Sequence, residues 1–403
     1  GRTLQCCASR VLGRMSDSGQ SVLLATAGYD HTIRFWEAPT GVCYKTLQHP
    51  DSQVNQLQIT ADRQRIAAAG NPSLRLFEIN SGPPSALTTY DGHTSNVTAV
   101  GFEADGKWMY TASEDGTLKL WDLRAAGCQR EYESGSPINS VALHPNQVEI
   151  VSGDRDGDSR GTGARPDPPL PVTPSRLPAG NIRVWDLAQN ACSAELVPDG
   201  DKSIQSLSIA RDASTLAAAN VRGSVFLWRL GPAPGCGESR ASADLEQCGS
   251  SAEPAEPTEP AEAREAREAR APSAADGAEP RHAEVGGAVP SRLRIEPLQK
   301  LQAHASYVIR CIISPDCRRL ATTSADHTTK VWDMANNFSC EETLSGHQRW
   351  VWDAVFSADS AYLVTASSDQ TARLWDLADG VTLQHYTGHH KAVTSIALHD
   401  GPV

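Results

Sequence analysis

Seven short runs, each ending in an aromatic residue, recur along the chain and limit what it can fold into. They are Thr32-Ile33-Arg34-Phe35-Trp36, Leu74-Arg75-Leu76-Phe77, Leu118-Lys119-Leu120-Trp121, Ile182-Arg183-Val184-Trp185, Ser224-Val225-Phe226-Leu227-Trp228, Thr329-Lys330-Val331-Trp332 and Ala372-Arg373-Leu374-Trp375. Their alternation with a period of two marks strands with one buried face. The final aromatics are 41, 44, 64, 43, 104 and 43 residues apart. Four of these intervals match one four-stranded blade of a β-propeller, about 40–45 residues. The other two exceed it by about 21 and 61 residues, and each contains a segment unlike a fold in composition. Helical repeats of similar length are excluded, because Thr, Val, Ser and Gly stand where helix formers would be needed.

Other marks keep the same register. Gly-His pairs or their remnants precede the first strand of several repeats, at His49, His93, His304, His347 and His389. Turn aspartates recur at Asp30, Asp115, Asp326 and Asp369, and Trp-Asp closes the third strand at 121–122, 185–186, 332–333 and 375–376. A His, a turn Asp, a strand hydroxyl and the Trp indole can satisfy one another inside a blade, where an unpaired polar group is costly. This is the grammar of a WD repeat. The first repeat opens on its second strand, Val22 to Ala27, and a spare first strand, Val393 to Leu398, follows Gly388-His389. The expected fold is therefore an all-β, seven-bladed WD-repeat β-propeller whose C-terminal strand completes the N-terminal blade and removes exposed edges.

Residues 158–179 interrupt the fourth blade between its second and third strands, and residues 231–290 interrupt the fifth between its third and fourth. Both are rich in Pro, Gly, Ala or charged residues, so both are expected to be disordered. Residues 1–20 read as a disordered N-terminal extension and 21–403 as one propeller domain. Met15 opens a polar stretch just before the first strand and is the expected natural start.

Composition narrows the function. With 48 acidic against 36 basic residues and a net charge of -12, the surface suits neither nucleic acid nor an anionic membrane. No apolar run is long enough to span a bilayer. The ten cysteines lack metal or disulfide spacing and read as reduced thiols of a cytosolic protein. No phosphate-binding glycine loop, nucleophile elbow or His-Glu-x-x-His helix appears. Asp154, Asp156 and Asp158 alternate but lack the glycine and distal Glu of a calcium loop. No catalytic residue, metal site or cofactor is expected.

A binding surface is legible instead. In a propeller, the residues flanking the first apolar position of each inner strand surround the central channel on one face. In blade order these pairs are Ala392/Thr394, Gln53/Asn55, Asn96/Thr98, Pro137/Asn139, Ser203/Gln205, Tyr307/Ile309 and Trp350/Trp352. Tyr307, Trp350 and Trp352 crowd blades six and seven, while the opposite side is small and polar. Neither Trp350 nor Trp352 is the repeat tryptophan, which in that blade is Trp375. Exposed Trp and Tyr clusters anchor protein interfaces, and Gln53 and Asn55 stand near enough to add hydrogen bonds.

Particular segments carry a closer likeness. Ala25-Thr26-Ala27-Gly28-Tyr29-Asp30-His31-Thr32-Ile33-Arg34-Phe35-Trp36, Asp51-Ser52-Gln53-Val54-Asn55, Ile66-Ala67-Ala68-Ala69-Gly70, Gly106-Lys107-Trp108-Met109-Tyr110-Thr111, Trp350-Val351-Trp352 and Gly388-His389-His390-Lys391-Ala392-Val393 resemble the G-protein-β-subunit-like WD-repeat subunit of the target-of-rapamycin (TOR) kinase complexes. The likeness runs from about Leu23 to Leu398, insertions apart, and includes Phe77-Glu78 in place of Trp-Asp. It implies a non-catalytic, monomeric subunit of both TOR complexes that docks on the kinase catalytic domain. It also implies a cytoplasmic protein recruited to the lysosomal membrane through the complex. Gln53, Asn55, Trp350 and Trp352 match the family's kinase-contacting positions. A second reading, a substrate receptor of a cullin-type ubiquitin ligase, rests on the short Trp-Asp-x-Arg signature Trp121-Asp122-Leu123-Arg124. A true G-protein β subunit would need an N-terminal coiled-coil helix, which is not seen between Met15 and the first strand.

Overall fold

The structure is a computed structural model that describes residues 22–80, 86–124, 127–155, 182–198, 203–232 and 293–400. Among these residues, twenty-eight strands form seven four-stranded antiparallel sheets, the blades of a β-propeller. Among them, no helix is long and apolar enough to cross a membrane. The innermost strands, in blade order, are β28 (Val393–His399), β4 (Gln56–Ile59), β8 (Val97–Phe102), β12 (Ile138–Leu143), β16 (Ile204–Ile209), β20 (Val308–Ile313) and β24 (Val351–Phe356). The C-terminal β28 pairs with β1 (Leu23–Gly28), with Leu24 opposite Leu398 and Thr26 opposite Ile396. Blade 1 therefore has the strand order β28-β1-β2-β3, where β2 is Thr32–Glu37 and β3 is Val42–Gln48.

The core lies between blades. Seven clusters of buried apolar side chains occupy the seven seams, one apiece. Leu24, Trp36 and Ile396 of blade 1, for example, pack on Val364, Leu374 and Tyr386 of blade 7. Each sheet is thus buried on both faces, which explains all-buried second strands such as Leu23–Gly28 and Thr215–Asn220.

The expected polar tetrad is complete in blades 1, 3, 6 and 7. In blade 3 the Trp121 indole donates to Thr111 Oγ1 at 2.8 Å, and His93 Nε2 meets the same hydroxyl at 2.8 Å. His93 Nδ1 lies 2.9 Å from Asp115 Oδ2. A carboxylate only accepts, so the imidazole proton sits on Nδ1 and Nε2 takes the threonine hydrogen. Blade 1 assembles its tetrad from both chain ends: Trp36 donates to Thr26, and His389 stands 2.8 Å from Thr26 and 2.8 Å from Asp30. Blade 4 has Ser134 at the His position, and buried Asp154 accepts from Ser134 and Arg183. Blade 2 has Phe77 for Trp and keeps His49 buried against the Ser52 carbonyl.

The expected N-terminal extension and first insertion lie outside the described residues, as does nearly all of the second. Strand β18 (Ser224–Pro232) and its partner β19 (Leu293–Gln302) correct the second insertion's start. Gly231 pairs with Arg294 and Pro232 with Leu293, so the hairpin continues past residue 231.

Candidate partner-docking site

The apolar residue that opens each inner strand, such as Val351, or in blade 2 Val54 just before the strand, is fully buried, so its neighbours on either side point elsewhere. The following residues (Thr394, Asn55, Thr98, Asn139, Gln205, Ile309 and Trp352) all line one cavity of about 230 Å³ at one mouth of the channel. Of the preceding residues, Asn96 also lines the cavity, and the others form a rim outside it. In every blade but the second, the preceding residue's carbonyl accepts from the turn that follows the second strand: Tyr29 N to Ala392 O at 3.0 Å, Ala325 N to Tyr307 O at 3.0 Å, and Ser368 N to Trp350 O at 2.9 Å. Of the expected site residues, Asn55 and Trp352 therefore sit in the mouth, while Gln53, Tyr307 and Trp350 flank it.

Four of the mouth residues bridge blades. Thr394 donates to Val54 O at 2.6 Å, Asn55 to Val97 O at 2.9 Å, Thr98 to Ile138 O at 2.7 Å, and Asn139 to Ile204 O at 2.8 Å. These bonds latch blade 1 to 2, 2 to 3, 3 to 4 and 4 to 5 in turn. The other three do not bridge: Gln205 turns to Ser203 at 3.0 Å, Trp352 donates to Ser368 Oγ at 2.6 Å within its own blade, and Ile309 has no polar atom. The Asn55 amide nitrogen also donates to Asn96 Oδ1 at 2.6 Å, leaving only its carbonyl oxygen for a partner.

The unlatched half carries the aromatic surface. Trp350 is 44% exposed and Tyr307 55%. Trp350 and Trp352 lie 5.9 Å apart between ring centroids, inclined by 51°. Tyr29, absent from the expected site, meets Trp352 edge-on at 6.4 Å and 73°. Among the described residues, no ring contact joins Tyr307 to this group. Tyr29 escapes a sequence reading because it sits beside the turn Asp30 and looks like part of the repeat. The signal that finds it is comparison across blades, where Glu114, Arg155, Val221, Ala325 and Ser368 hold the same turn position.

Next to Trp352 in the chain, Asp353 meets Arg310 across the seam between blades 7 and 6, with Arg310 Nε 3.2 Å from Asp353 Oδ1 in an ion pair too poorly aligned to be a hydrogen bond. Burial pushes the Asp353 carboxyl up, and Arg310 and the Ile396 amide, which donates to it at 2.9 Å, oppose that shift. Both residues also line the larger opening on the far side, about 850 Å³. No group of three or more His, Cys, Asp or Glu placed to hold a metal occurs among the described residues. Asp154, considered above for calcium, is committed to Arg183 and Ser134.

Comparison with known proteins follows the same lines. The WD domain, G-beta repeat model matches residues 84–122, 295–333 and 338–376. The chain is 42% identical over 381 residues to the target of rapamycin complex subunit wat1 of Schizosaccharomyces pombe, covering 94% of this chain and 96% of that protein. It belongs to the LST8 family of target of rapamycin complex subunits. LST8-1 of Arabidopsis thaliana is 45% identical over 82% of both chains, and LST8 of Saccharomyces cerevisiae 42% over 94% of this chain and 99% of its own. The three repeats the WD model finds in this LST8-family chain are blades 3, 6 and 7, whose tetrads lie within one continuous segment. Blade 1 has an equally complete tetrad, but it is divided between the chain's ends.

Proposed function

We propose that the chain is a non-catalytic scaffold subunit of TOR complexes 1 and 2 that binds and stabilises the TOR kinase catalytic domain. The aromatic half of the channel mouth is the docking surface in this reading. The observation that carries it is the partly exposed Trp350–Trp352 pair, set where blades 1 to 5 have no aromatic residue, in a chain whose relatives are TOR complex subunits. Neither indole is needed for the repeat, since Trp375 serves that purpose in the same blade. Large aromatic surface left exposed on a rigid ring is what interface hot spots are made of. Gln53 and the free Asn55 oxygen supply polar contacts beside it, and Tyr307 extends the surface into blade 6. The subunit enters the assembly as a single copy, works in the cytoplasm, and reaches the lysosomal membrane only through the complex.

The test is affinity purification of the full chain with identification of what it retains. Wild type retains TOR kinase. The double variant Trp350→Ala/Trp352→Ala loses it by at least about a hundredfold in affinity, the scale of two hot-spot residues, and melts within a few degrees of wild type. Undiminished kinase recovery with that variant would sink the site. Recovery of a ligase adaptor in place of kinase, abolished by Arg124→Ala, would install the ligase-receptor reading instead.

A further inference from the structure

We infer that Tyr29 is a third aromatic anchor of this docking surface, so that a docked kinase domain spans from blade 7 to blade 1, over the strand pair that joins the two ends of the chain, and holds the ring closed. The inference rests on the docking reading above and adds to it both a residue and a consequence for the fold.

The position of Tyr29 is the first argument. It is 38% exposed, and among the described residues its hydroxyl has no hydrogen-bond partner. The ring is not needed to build the turn, because at the same position Glu114, Arg155, Val221, Ala325 and Ser368 make the same backbone bond. An exposed ring with a free hydroxyl suits an interface, where tyrosine offers apolar area and a polar tip together. Tyr29 is also aimed. Its amide is tied to Ala392 O, and Gly28 lets the two segments approach, since a Cβ at Gly28 would meet Ala392 O at 2.0 Å. The edge of the ring then rests on Trp352, and Trp352 rests on Trp350. Three rings make one continuous surface, one from blade 1 and two from blade 7.

That surface crosses one of the three seams that lack a mouth latch. At mouth level the first four seams have a side-chain latch, whereas Trp352 donates back into its own blade. On this layer, blades 7 and 1 meet through the Tyr29–Trp352 contact. The blade 1 side of this seam exists only while β28 is paired to β1, a contact between residues at opposite ends of the chain. If β28 peels away, Tyr29 loses Ala392 O, and Asp30 beside it loses His389. The three rings are then no longer held together. A partner that needs all three binds the closed ring only, and a ligand that binds one of two states stabilises that state.

The experiment uses full-length chain and purified TOR kinase catalytic domain. Tyr29→Ala is expected to weaken equilibrium binding about tenfold and to melt like wild type, while Tyr29→Phe stays within about threefold. If the alanine variant melts lower, Tyr29→Leu, which keeps apolar bulk against Trp352, carries the same expectation. Amide hydrogen exchange gives the second readout. Kinase should slow exchange in β1 and β28 at least about tenfold more than in β12, on the far side of the ring. Unchanged affinity for Tyr29→Ala, with binding still lost in the tryptophan double variant, overturns the anchor and leaves the docking reading intact. Protection spread evenly over the blades, or absent from β1 and β28, overturns the clasp. Failure of the wild-type chain to bind kinase removes the docking reading and the inference together.

Discussion

The two halves of the channel mouth answer one structural question in opposite ways. The residue after the first buried position of each inner strand faces the mouth in all seven blades. In blades 1 to 4 it is Thr, Asn, Thr and Asn, and it reaches to the next blade's carbonyl. In blades 6 and 7 it is Ile309 and Trp352, which make no side-chain hydrogen bond across a seam. The side chains that hold the ring are short and polar, while Ile309 and Trp352 are larger and apolar over most of their surface, all six being partly exposed. The aromatic half replaces the missing latches one layer down. There Asp353 accepts from the Ile396 amide at 2.9 Å and lies 3.3 Å from the Ser395 hydroxyl, both in blade 1, while facing Arg310 of blade 6.

The largest stability effect should come from breaking that replacement. Asp353→Ala strands Arg310 and the Ile396 amide together. Removing one partner of a fully buried pair costs about 3–5 kcal/mol, but Arg310 opens on the channel and is 29% exposed. The expected loss is therefore about 2–3 kcal/mol by urea unfolding, against roughly half that for Asp353→Asn, which keeps an acceptor for the amide. Equal losses for the two variants would show that the charge pair contributes nothing to the seam.

A second pair of variants sharpens the boundary between the halves. Thr98→Val and Asn55→Ala each remove one latch and should each cost about 1 kcal/mol of stability. Only Asn55→Ala should also weaken kinase binding, about threefold to tenfold, because its carbonyl oxygen stands beside the aromatic half while Thr98 lies a blade further on. Comparable loss of binding in Thr98→Val would mean that latching, and not contact, governs docking.

Acid should test the fold in a third way, through buried histidines on both halves of the ring. Burial holds His93 and His304 below the ordinary imidazole value despite their aspartates, and it lowers His49 too. Burial alone would raise Asp115, but hydrogen bonds from Thr117, the Thr94 amide and His93 bring it down to about 2. The histidine contribution is complete above the unfolded value of about 6.5, where both states are neutral. It is lost as pH falls below that, because the unfolded chain takes up protons that the fold refuses. The aspartate contribution persists until pH falls through about 4 toward 2. Between pH 7 and pH 5 the histidines should therefore pull the urea midpoint down, opposed by Asp154, whose carboxyl burial pushes up to about 7 so that its protonation in the fold acts the other way. A His304→Gln variant should show a smaller drop, and an unchanged one would exclude His304 from the linkage.

The sequence carried most of this architecture because a blade is a local unit. Period-two strands, the recurring aromatic and the His–Asp spacing are written within about 40 residues, and β28 was recognisable as a strand lacking its blade. What it did not carry depends on comparison between blades. Asn55 reads as a contact residue until its amide is seen bonded to Asn96 and Val97. Tyr29 reads as turn grammar until Trp352, over 300 residues away in the chain, is placed against it. Flanking residues two apart would share one face of a strand, but the first of each pair lies before its inner strand begins, and most of the pairs divide between mouth and rim.

The smallest effect probes a gap on the latched half itself. On the layer below the mouth, the inner-strand side chains Ser395, Gln56, Ser140 and Ser206 accept the amides of Leu57, Val100, Leu207 and Cys311 in the next blade, at 2.8 to 3.1 Å. Blade 3 has Ala99 at this register, and among the described residues no side chain accepts the corresponding amide of Val141. Ala99 is buried, and serine already fits the same position in three other blades. Ala99→Ser should therefore complete the series and raise stability by about 0.5–1 kcal/mol, the net value of one buried hydrogen bond. The urea midpoint would move up with an unchanged m-value. A neutral result would mean that water in the channel already serves the Val141 amide, so that the 3–4 seam is held by its mouth latch and its apolar cluster alone.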